Sequence, residues 1–275
     1  MDALDALMLQ IEWGADEALD EHPVDRRTAS APAAPAEAAS ADAGSAETGS
    51  AEIGPSPAPY PAAPAGALPA PPLARARALA ENAADRAALQ AALEAFDGCA
   101  LRTTATNLVF ADGDPTSGLV LVADVPGAAE DRAGTPFAGP GGLFLDRMLA
   151  SIRLDRSHVF MTSLIPWRPP GDRKPTETEV QLCLPFLLRH LALLQPRRVV
   201  LVGALAGRTL LPSAGRRPRG VWHTLTVPGA NPLPALALAA LAHIQTTPAA
   251  KRDAWGDLLL LRRAMDEDEA KTPGL

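Results

Sequence analysis

Two segments of this sequence combine chemically active side chains with many glycines and prolines. Residues 123–142 include a carboxylate, Asp124, and an aromatic ring, Phe137, and residues 163–174 begin with a hydroxyl, Ser163. A carboxylate accepts hydrogen bonds, a hydroxyl both donates and accepts them, and an aromatic ring can stack on a planar ligand. Glycine lets the backbone approach a ligand closely. These types predict a binding site built on loops, and the alternative for Phe137 is a place in the core.

Three cations lie beside a Pro-Pro-Gly sequence in the second segment: Arg168, Arg173 and Lys174. Such side chains are candidates for contact with nucleic-acid phosphate, and a solvated loop is the alternative. Residues 1–97 hold 5 basic and 16 acidic residues, whereas residues 98–275 hold 20 basic and 16 acidic residues. A mildly basic body with an acidic arm is compatible with binding a polyanion but does not require it.

The elements that must position these side chains alternate along the chain. Buried strands are predicted at 119–123, 159–164, 198–203 and 224–227, and helices at 73–96, 141–153, 176–194, 204–211 and 249–264. This alternation predicts an α/β fold, a three-layer α-β-α sandwich with a central, mostly parallel four-stranded sheet. Ligands bind outside the carboxyl ends of such strands. The informative segments are therefore 123–142, 163–174 and 228–246.

The sequence predicts that the chain has four parts. These are a short amphipathic helix at 1–20, an Ala/Pro/Ser-rich disordered linker at 21–72, the globular domain at 73–265 and an acidic tail at 266–275. The first helix either docks on a protein partner or packs on the domain as an arm.

The chain has neither an apolar run long enough to span a bilayer nor a secretory signal, so no membrane partner is expected. Two cysteines, Cys99 and Cys183, suit a reducing cytoplasm, and we expect a monomer.

The sequence VPGAAEDRAGTPFAGPGG at 125–142 carries a long, specifically spaced motif. It resembles the first motif of the family 4 uracil-DNA glycosylases, which runs approximately G-E-A-P-G-x-x-E-D-x-x-G-x-P-F-V-G-x-x-G. The resemblance continues at 145–149, 166–173, 183–187 and 250–255. The segment from 13 to 26 also resembles the leader of some alphaproteobacterial members. The chain is therefore identified as similar to this family over about 98–264.

The resemblance implies hydrolysis of the bond between uracil and deoxyribose in DNA, after the base has been extruded into a pocket. In that reading Phe137 is the stacking ring, and the backbones of Gly127 and Gly139 approach DNA closely. Asp124 places the water and Ser163 contacts the edge of uracil. The expected partner is uracil-containing DNA.

The chain departs from the family at its metal ligands. Family 4 members hold a [4Fe–4S] cluster with four cysteines. Here Cys99 and Cys183 match two of them, and Phe96 and Trp167 stand at the other two positions. Two thiolates cannot hold a cubane that takes four. We therefore expect no iron–sulfur cluster and no metal, and packed side chains at those positions.

The catalytic positions also depart from the family. Asp124 stands where the family has Glu, Ser163 where it has Asn, and Ala240 where it has His. Asp is one methylene shorter than Glu, and a misplacement of about 1 Å can cost about a hundredfold in rate. His243 lies three residues after Ala240 but is more simply read as a surface residue. The run from 233 to 244 is predicted to be a helix rather than the family's DNA-wedging loop.

Two functions follow from these departures. The first is a uracil-DNA glycosylase of base excision repair, active with weakened turnover. The alternative is a catalytically inactive module that binds DNA or recruits a partner on the same fold. Fold alone does not decide between them.

Overall fold

The computed structural model describes residues 70–212 and 219–271. The predicted N-terminal helix, nearly all of the predicted linker and the last residues of the acidic tail lie outside these ranges. The described residues form one α/β unit.

Helices flank and separate the strands along the described residues. The helices are α1 (Pro72–Asn82), α2 (Arg86–Ala95), α3 (Leu101–Thr104), α4 (Ala128–Ala133), α5 (Gly139–Ser151), α6 (Glu177–Leu194), α7 (Ala204–Leu210), α8 (Leu241–Thr246) and α9 (Pro248–Lys271). The strands are β1 (Ala111–Gly113), β2 (Leu119–Ala123), β3 (Phe160–Ser163), β4 (Arg198–Val202), β5 (Trp222–Leu225) and β6 (Leu233–Leu238). Short 3-10 turns lie at Arg156–His158 and Pro170–Asp172.

The strands form one mixed sheet in the order β1-β3-β2-β4-β6-β5. The four central strands β3, β2, β4 and β6 are parallel to one another. The edge strands β1 and β5 pair antiparallel with β3 and β6. The mostly parallel sheet is as predicted, but it has six strands rather than four, and its fourth parallel strand is β6 rather than the strand predicted at 224–227. Because the central strands run in one direction, their carboxyl ends meet at the same edge of the sheet.

Each central strand contributes side chains to two cores, one on each face of the sheet. In β4, Val199 and Leu201 join the core covered by α1, α2 and α6, whereas Val200 and Val202 join the core covered by α5 and α9. This alternation follows from the two-residue period of a strand. Burial on both faces produces the three-layer α-β-α sandwich that was predicted.

The closing helix α9 is longer than the predicted 249–264 and continues to Lys271. Its last turns are fastened to the sheet by Arg198, which donates to both carboxylate oxygens of Asp268 (2.8 and 3.1 Å) and to the carbonyl of Ala264 (2.7 Å). Asp268, placed in the acidic tail by the sequence prediction, therefore belongs to this helix. Among the described helices, none is both long and apolar enough to cross a membrane.

The single helix predicted at 73–96 is wrong, because the structure has two helices there. The break falls between Asn82 and Arg86, where the side chain of Asp85 accepts a hydrogen bond from the backbone N–H of Ala88 (2.8 Å). Asp favours this N-cap position because its carboxylate satisfies an otherwise unpaired amide. The break folds α2 back so that Leu89 and Leu93 become buried.

The helix predicted over 233–244 is also wrong in its first half. Residues Leu233–Leu238 form β6, the fourth parallel strand, and only the short helix α8 follows. The strand predicted at 224–227 is the antiparallel edge strand β5. A short apolar run of Leu and Ala has no periodicity that separates a buried strand from a helix, and pairing with β4 decides between them.

Helix α6 begins at a predicted capping box, which the structure confirms. Thr176 accepts from the backbone N–H of Glu179 (3.2 Å), and Glu179 accepts from the backbone N–H of Thr176 (2.7 Å). Arg173 also donates to both carboxylate oxygens of Glu179 (2.6 and 2.9 Å). Hydrogen bonding to Arg173 lowers the pKa of Glu179 to about 2.

Glutamine at 179 can still accept from the Thr176 N–H, but it lacks the charge that pairs with Arg173. We expect Glu179→Gln to destabilise the protein by about 1 kcal/mol at neutral pH, the upper end of the range for partly exposed ion pairs. A carboxylate with a lowered pKa stabilises the fold above its ordinary pKa, and this contribution is lost as the pH falls toward about 2. Glu179→Gln should therefore flatten the acid side of the stability profile, measured by urea unfolding at a series of pH values. Glu177→Gln, an exposed first-turn carboxylate, is the control, and equal profiles for wild type and Glu179→Gln would contradict the prediction.

Candidate active site

The sheet brings three of the predicted positions to one edge. Ser163 is the last residue of β3 and pairs with Ala123, so that Asp124 follows at the end of the neighbouring strand β2. The next strand, β4, ends at Val202, and the N–H of the following residue, Gly203, donates to the carbonyl of Leu238 at the end of β6 (3.0 Å). Ala240 follows two residues later as the N-cap of α8. The positions of Asp124, Ser163 and Ala240 therefore lie along the same edge of the sheet, with the end of β4 between those of Asp124 and Ala240.

The Asp124 side chain reaches across the end of β4 to helix α7. Its two carboxylate oxygens accept from the backbone N–H groups of Leu205 (3.1 Å) and Ala206 (2.7 Å). Burial raises the pKa of Asp124, while the hydrogen bonds from Ala206 and Leu205 and the charge of Arg208 act in the opposite direction. The carboxylate thus caps the first turn of α7. Each oxygen retains a second lone pair for a further donor.

This contact depends on glycine at 203. Its φ of 127° is outside the range that side chains favour, and an added Cβ would lie 2.2 Å from the carboxyl carbon of Asp124. Only a residue without a side chain lets the carboxylate lie against the backbone here. Gly203 is not among the site residues predicted from sequence, although a glycine between a buried strand and a helix was the available signal.

Phe137 lies between α4 and α5 and is 5% exposed. Its ring belongs to the apolar cluster on the α5 side of the sheet, together with Leu145 and Leu149. Its backbone is left-handed, with φ of 52°, and its carbonyl accepts from Arg156 Nη2 (2.8 Å). The core alternative for Phe137 is thus correct for its present packing, and the stacking role stays a prediction.

Several residues of the long loop have structural roles. Gly127 is the N-cap of α4, and its N–H donates to Glu130 Oε2 (3.0 Å). Gly139 begins α5 with φ of 66°, and a Cβ there would be 2.5 Å from the Cβ of Ala129. Asp131 is buried and accepts from the backbone N–H of Thr106 (2.8 Å) and from its hydroxyl (2.9 Å). The loop is therefore held in one shape by its own motif residues.

The predicted phosphate-contacting cations differ in their surroundings. Arg168 donates to both oxygens of Asp172 (2.7 and 3.0 Å), and Arg173 is paired with Glu179. Lys174 is exposed and has no ion pair within residues 70–212 and 219–271. Two of the three positive charges are thus offset by carboxylates.

Comparison with known proteins identifies the family of the chain. The sequence profile of the uracil DNA glycosylase superfamily matches residues 110–259, more than half of the chain. The chain belongs to the uracil DNA glycosylase superfamily. The match includes the strand ends that carry Asp124, Ser163 and Ala240.

Curated relatives are named type-4 uracil-DNA glycosylases. The protein from Pyrobaculum aerophilum is 37% identical over 121 residues, 44% of this chain and 62% of the relative. Those from Archaeoglobus fulgidus and Thermotoga maritima are 40% and 34% identical, over 40% and 39% of this chain and 55% and 56% of the relatives. The chain thus spans between about half and two thirds of the length of these uracil-DNA glycosylases.

In this superfamily member the two cysteines are neighbours in the core. Cys99 and Cys183 are each 1% exposed and are joined by a side-chain hydrogen bond, which lowers the pKa of Cys99 and raises that of Cys183. Phe96 packs on Phe186 with ring centroids 5.4 Å apart, and Trp167 is buried in the same cluster. The described residues contain no group of three or more His, Cys, Asp or Glu side chains that could hold a metal ion. Two thiols and two aromatic side chains do not fit the four-ligand requirement of a cubane.

The residue at the N-cap of α8 is an alanine rather than the histidine of the family motif. Ala240 is exposed and carries no donor, and His243 is an exposed residue of α8 whose Nδ1 lies 3.3 Å from Thr247 Oγ1. The reading of His243 as a surface histidine is confirmed.

Removing the Asp124 carboxylate should weaken the fold as well as the site. Asp124→Ala leaves two amides of α7 without their acceptor, and we expect a loss of about 1 kcal/mol, as for other N-caps. Asp124→Asn keeps one oxygen acceptor and should lose less. Urea unfolding at neutral pH measures both variants, and wild-type stability in Asp124→Ala would refute the capping role.

Proposed function

We propose that this protein is a uracil-DNA glycosylase that hydrolyses the N-glycosidic bond of uracil in DNA, with weakened turnover. The single observation that carries the proposal is the placement of Asp124, Ser163 and Ala240 along one edge of the sheet, after the carboxyl ends of the parallel strands β2, β3 and β6. These are the positions where the family resemblance puts Glu, Asn and His. Membership of the superfamily supports the substrate class, and the named activity of the relatives supports the reaction.

In the proposed reaction, the oxygen of a water molecule bonds to C1′ of the deoxyribose while the bond from C1′ to N1 of uracil breaks. Uracil leaves with the electron pair of that bond as an anion and takes up a proton, and the water leaves a hydroxyl on C1′. The base must first leave the helical stack. Asp124 would then accept a hydrogen bond from the water, Phe137 would stack on the base, and Ser163 would contact its polar edge.

Two features support weakened turnover. Both oxygens of Asp124 already accept hydrogen bonds from α7, so that only their remaining lone pairs are open to water. Ala240 supplies no group to stabilise the departing uracil anion. Removal of one such stabilising donor typically costs about 10²–10³ in rate.

DNA is the proposed partner, and its phosphates would meet the loop that holds Arg168, Arg173 and Lys174. Lys174 is the exposed cation of this group without a carboxylate partner in the described ranges. The family resemblance also suggests that the backbones of Gly127 and Gly139 would approach DNA. We also propose that the protein acts as a monomer in the reducing cytoplasm, which suits its free thiols.

A non-catalytic DNA-binding module is the second candidate. The observation that favours it is that both Asp124 oxygens already accept hydrogen bonds from α7, while Ala240 offers no polar side chain at the start of α8. Such a module would bind DNA with a strong dependence on salt and release no uracil. In that case the N-terminal segment would recruit a protein partner.

A cleavage assay tests the proposed activity. Single-stranded and duplex oligonucleotides with one uracil should acquire abasic sites, which alkali converts to strand breaks. Asp124→Asn should lower the single-turnover rate by about tenfold or more because the carboxylate charge is lost, and it retains more of the α7 cap than alanine would. Ala240→His should raise the rate by up to about 10²–10³ if the imidazole reaches the uracil anion.

The matched controls are a thymine-containing oligonucleotide and His243→Ala, a surface change on the same helix as the introduced histidine. No product from wild type or Ala240→His at stoichiometric protein would exclude the glycosylase and leave DNA binding as the function.

We further propose that the protein carries no iron–sulfur cluster. Aromatic side chains at positions 96 and 167 support this proposal, because they leave two thiols where a cubane takes four. Protein purified without oxygen should contain no stoichiometric iron and show no visible absorption from a cluster. The double variant Phe96→Cys, Trp167→Cys tests whether restored thiols suffice to bind iron. Stoichiometric iron and sulfide in the wild type would contradict the proposal.

A further inference from the structure

Arg156 contacts three parts of the chain that are distant in sequence: helix α5, strand β1 and the loop that holds Phe137. It lies in the 3-10 turn before β3, and its Nε donates to Asp146 on α5 (2.8 Å). Its Nη1 faces Asp112 on β1 at 3.5 Å, and its Nη2 donates to the backbone carbonyl of Phe137 (2.8 Å). The planar guanidinium thus uses separate N–H groups for two carboxylates and one carbonyl.

The carbonyl that Arg156 holds belongs to a residue with a disfavoured backbone. Phe137 has φ of 52°, a left-handed conformation that is uncommon for a residue with a bulky side chain. Such a conformation persists only when its surroundings hold it in place. The hydrogen bond from Arg156 is a direct restraint on that peptide group.

Gly142 shows how closely this carbonyl is packed. A Cβ added to Gly142 would lie 1.7 Å from the oxygen of Phe137 and 2.8 Å from Nη2 of Arg156. The first turn of α5 and the guanidinium therefore confine the carbonyl from two directions. Because the carbonyl and the Cα–Cβ bond belong to the same residue, confining the carbonyl restricts the direction in which the ring leaves the backbone.

We propose that Arg156 is a positioning residue that fixes the backbone of Phe137 and so aims its ring at the extruded base. This rests on the proposed function, in which Phe137 stacks on uracil. The alternative is an ion pair that only fastens α5 to β1 through Asp146 and Asp112. The two readings differ in whether the Phe137 ring responds when Arg156 changes.

Arg156→Lys separates the two readings. Lysine keeps the positive charge for Asp146 and Asp112 but lacks the planar fork that reaches the carbonyl at the same time. Arg156→Ala removes both contacts, and Arg147→Lys, a change on the surface of α5, is the matched control. Urea unfolding establishes that each variant is folded before it is compared.

The first readout does not need enzyme activity. In protein labelled with 4-fluorophenylalanine, the fluorine resonance of Phe137 is assigned by its disappearance in Phe137→Leu. We expect this resonance to shift or broaden in Arg156→Lys and to keep its position in Arg147→Lys. An unchanged Phe137 resonance in Arg156→Lys overturns the proposal, whether or not the protein cleaves uracil.

The second readout is the cleavage reaction. A misplaced stacking ring should raise KM for uracil-containing DNA and lower kcat/KM by about tenfold to a hundredfold in Arg156→Lys, at unchanged global stability. Wild-type kinetics in a folded Arg156→Lys variant also overturn the positioning role. A wild type that yields no product refutes the glycosylase proposal instead, and the fluorine spectra then decide the role of Arg156.

Discussion

The carboxylate of Asp124 crosses the end of the sheet and accepts the first amides of α7, at Leu205 and Ala206. This contact joins the end of β2 to the helix that follows β4, and it is feasible because residue 203 has no side chain. The parallel register then places Ser163 on one side of the carboxylate, and the ends of β4 and then β6 on the other. The geometry of the whole edge thus depends on one capped helix.

Under the proposed function, the Asp124 carboxylate both caps α7 and places a water molecule. A carboxylate that caps a helix is held in a fixed orientation and is partly buried, which favours precise placement of a water molecule. Its oxygens are also partly satisfied, which reduces their capacity to accept a proton or a further donor. A longer side chain at this position would be a different compromise between helix capping and water placement.

Much of the framework could be predicted from sequence because its signals are local. The apolar runs of β2, β3 and β4 and the Thr176–Glu179 capping box are each contained within a few residues. The convergence of Asp124 and Ser163 also followed from the rule that parallel strands end together. The remaining features depend on contacts distant in sequence: the pairing that makes 233–238 a strand, the approach of Gly203 to Asp124, and the reach of Arg156 to Phe137.

The contact between Phe96 and Phe186 has a consequence for temperature. Both rings are buried, with exposures of 0% and 2%. They pack against each other at a tilt, in the same apolar cluster as the two cysteines. Apolar burial stabilises a protein through the release of hydration water, and this driving force weakens on cooling. This corner of the core therefore contributes most in the warm part of the stability curve and less at low temperature.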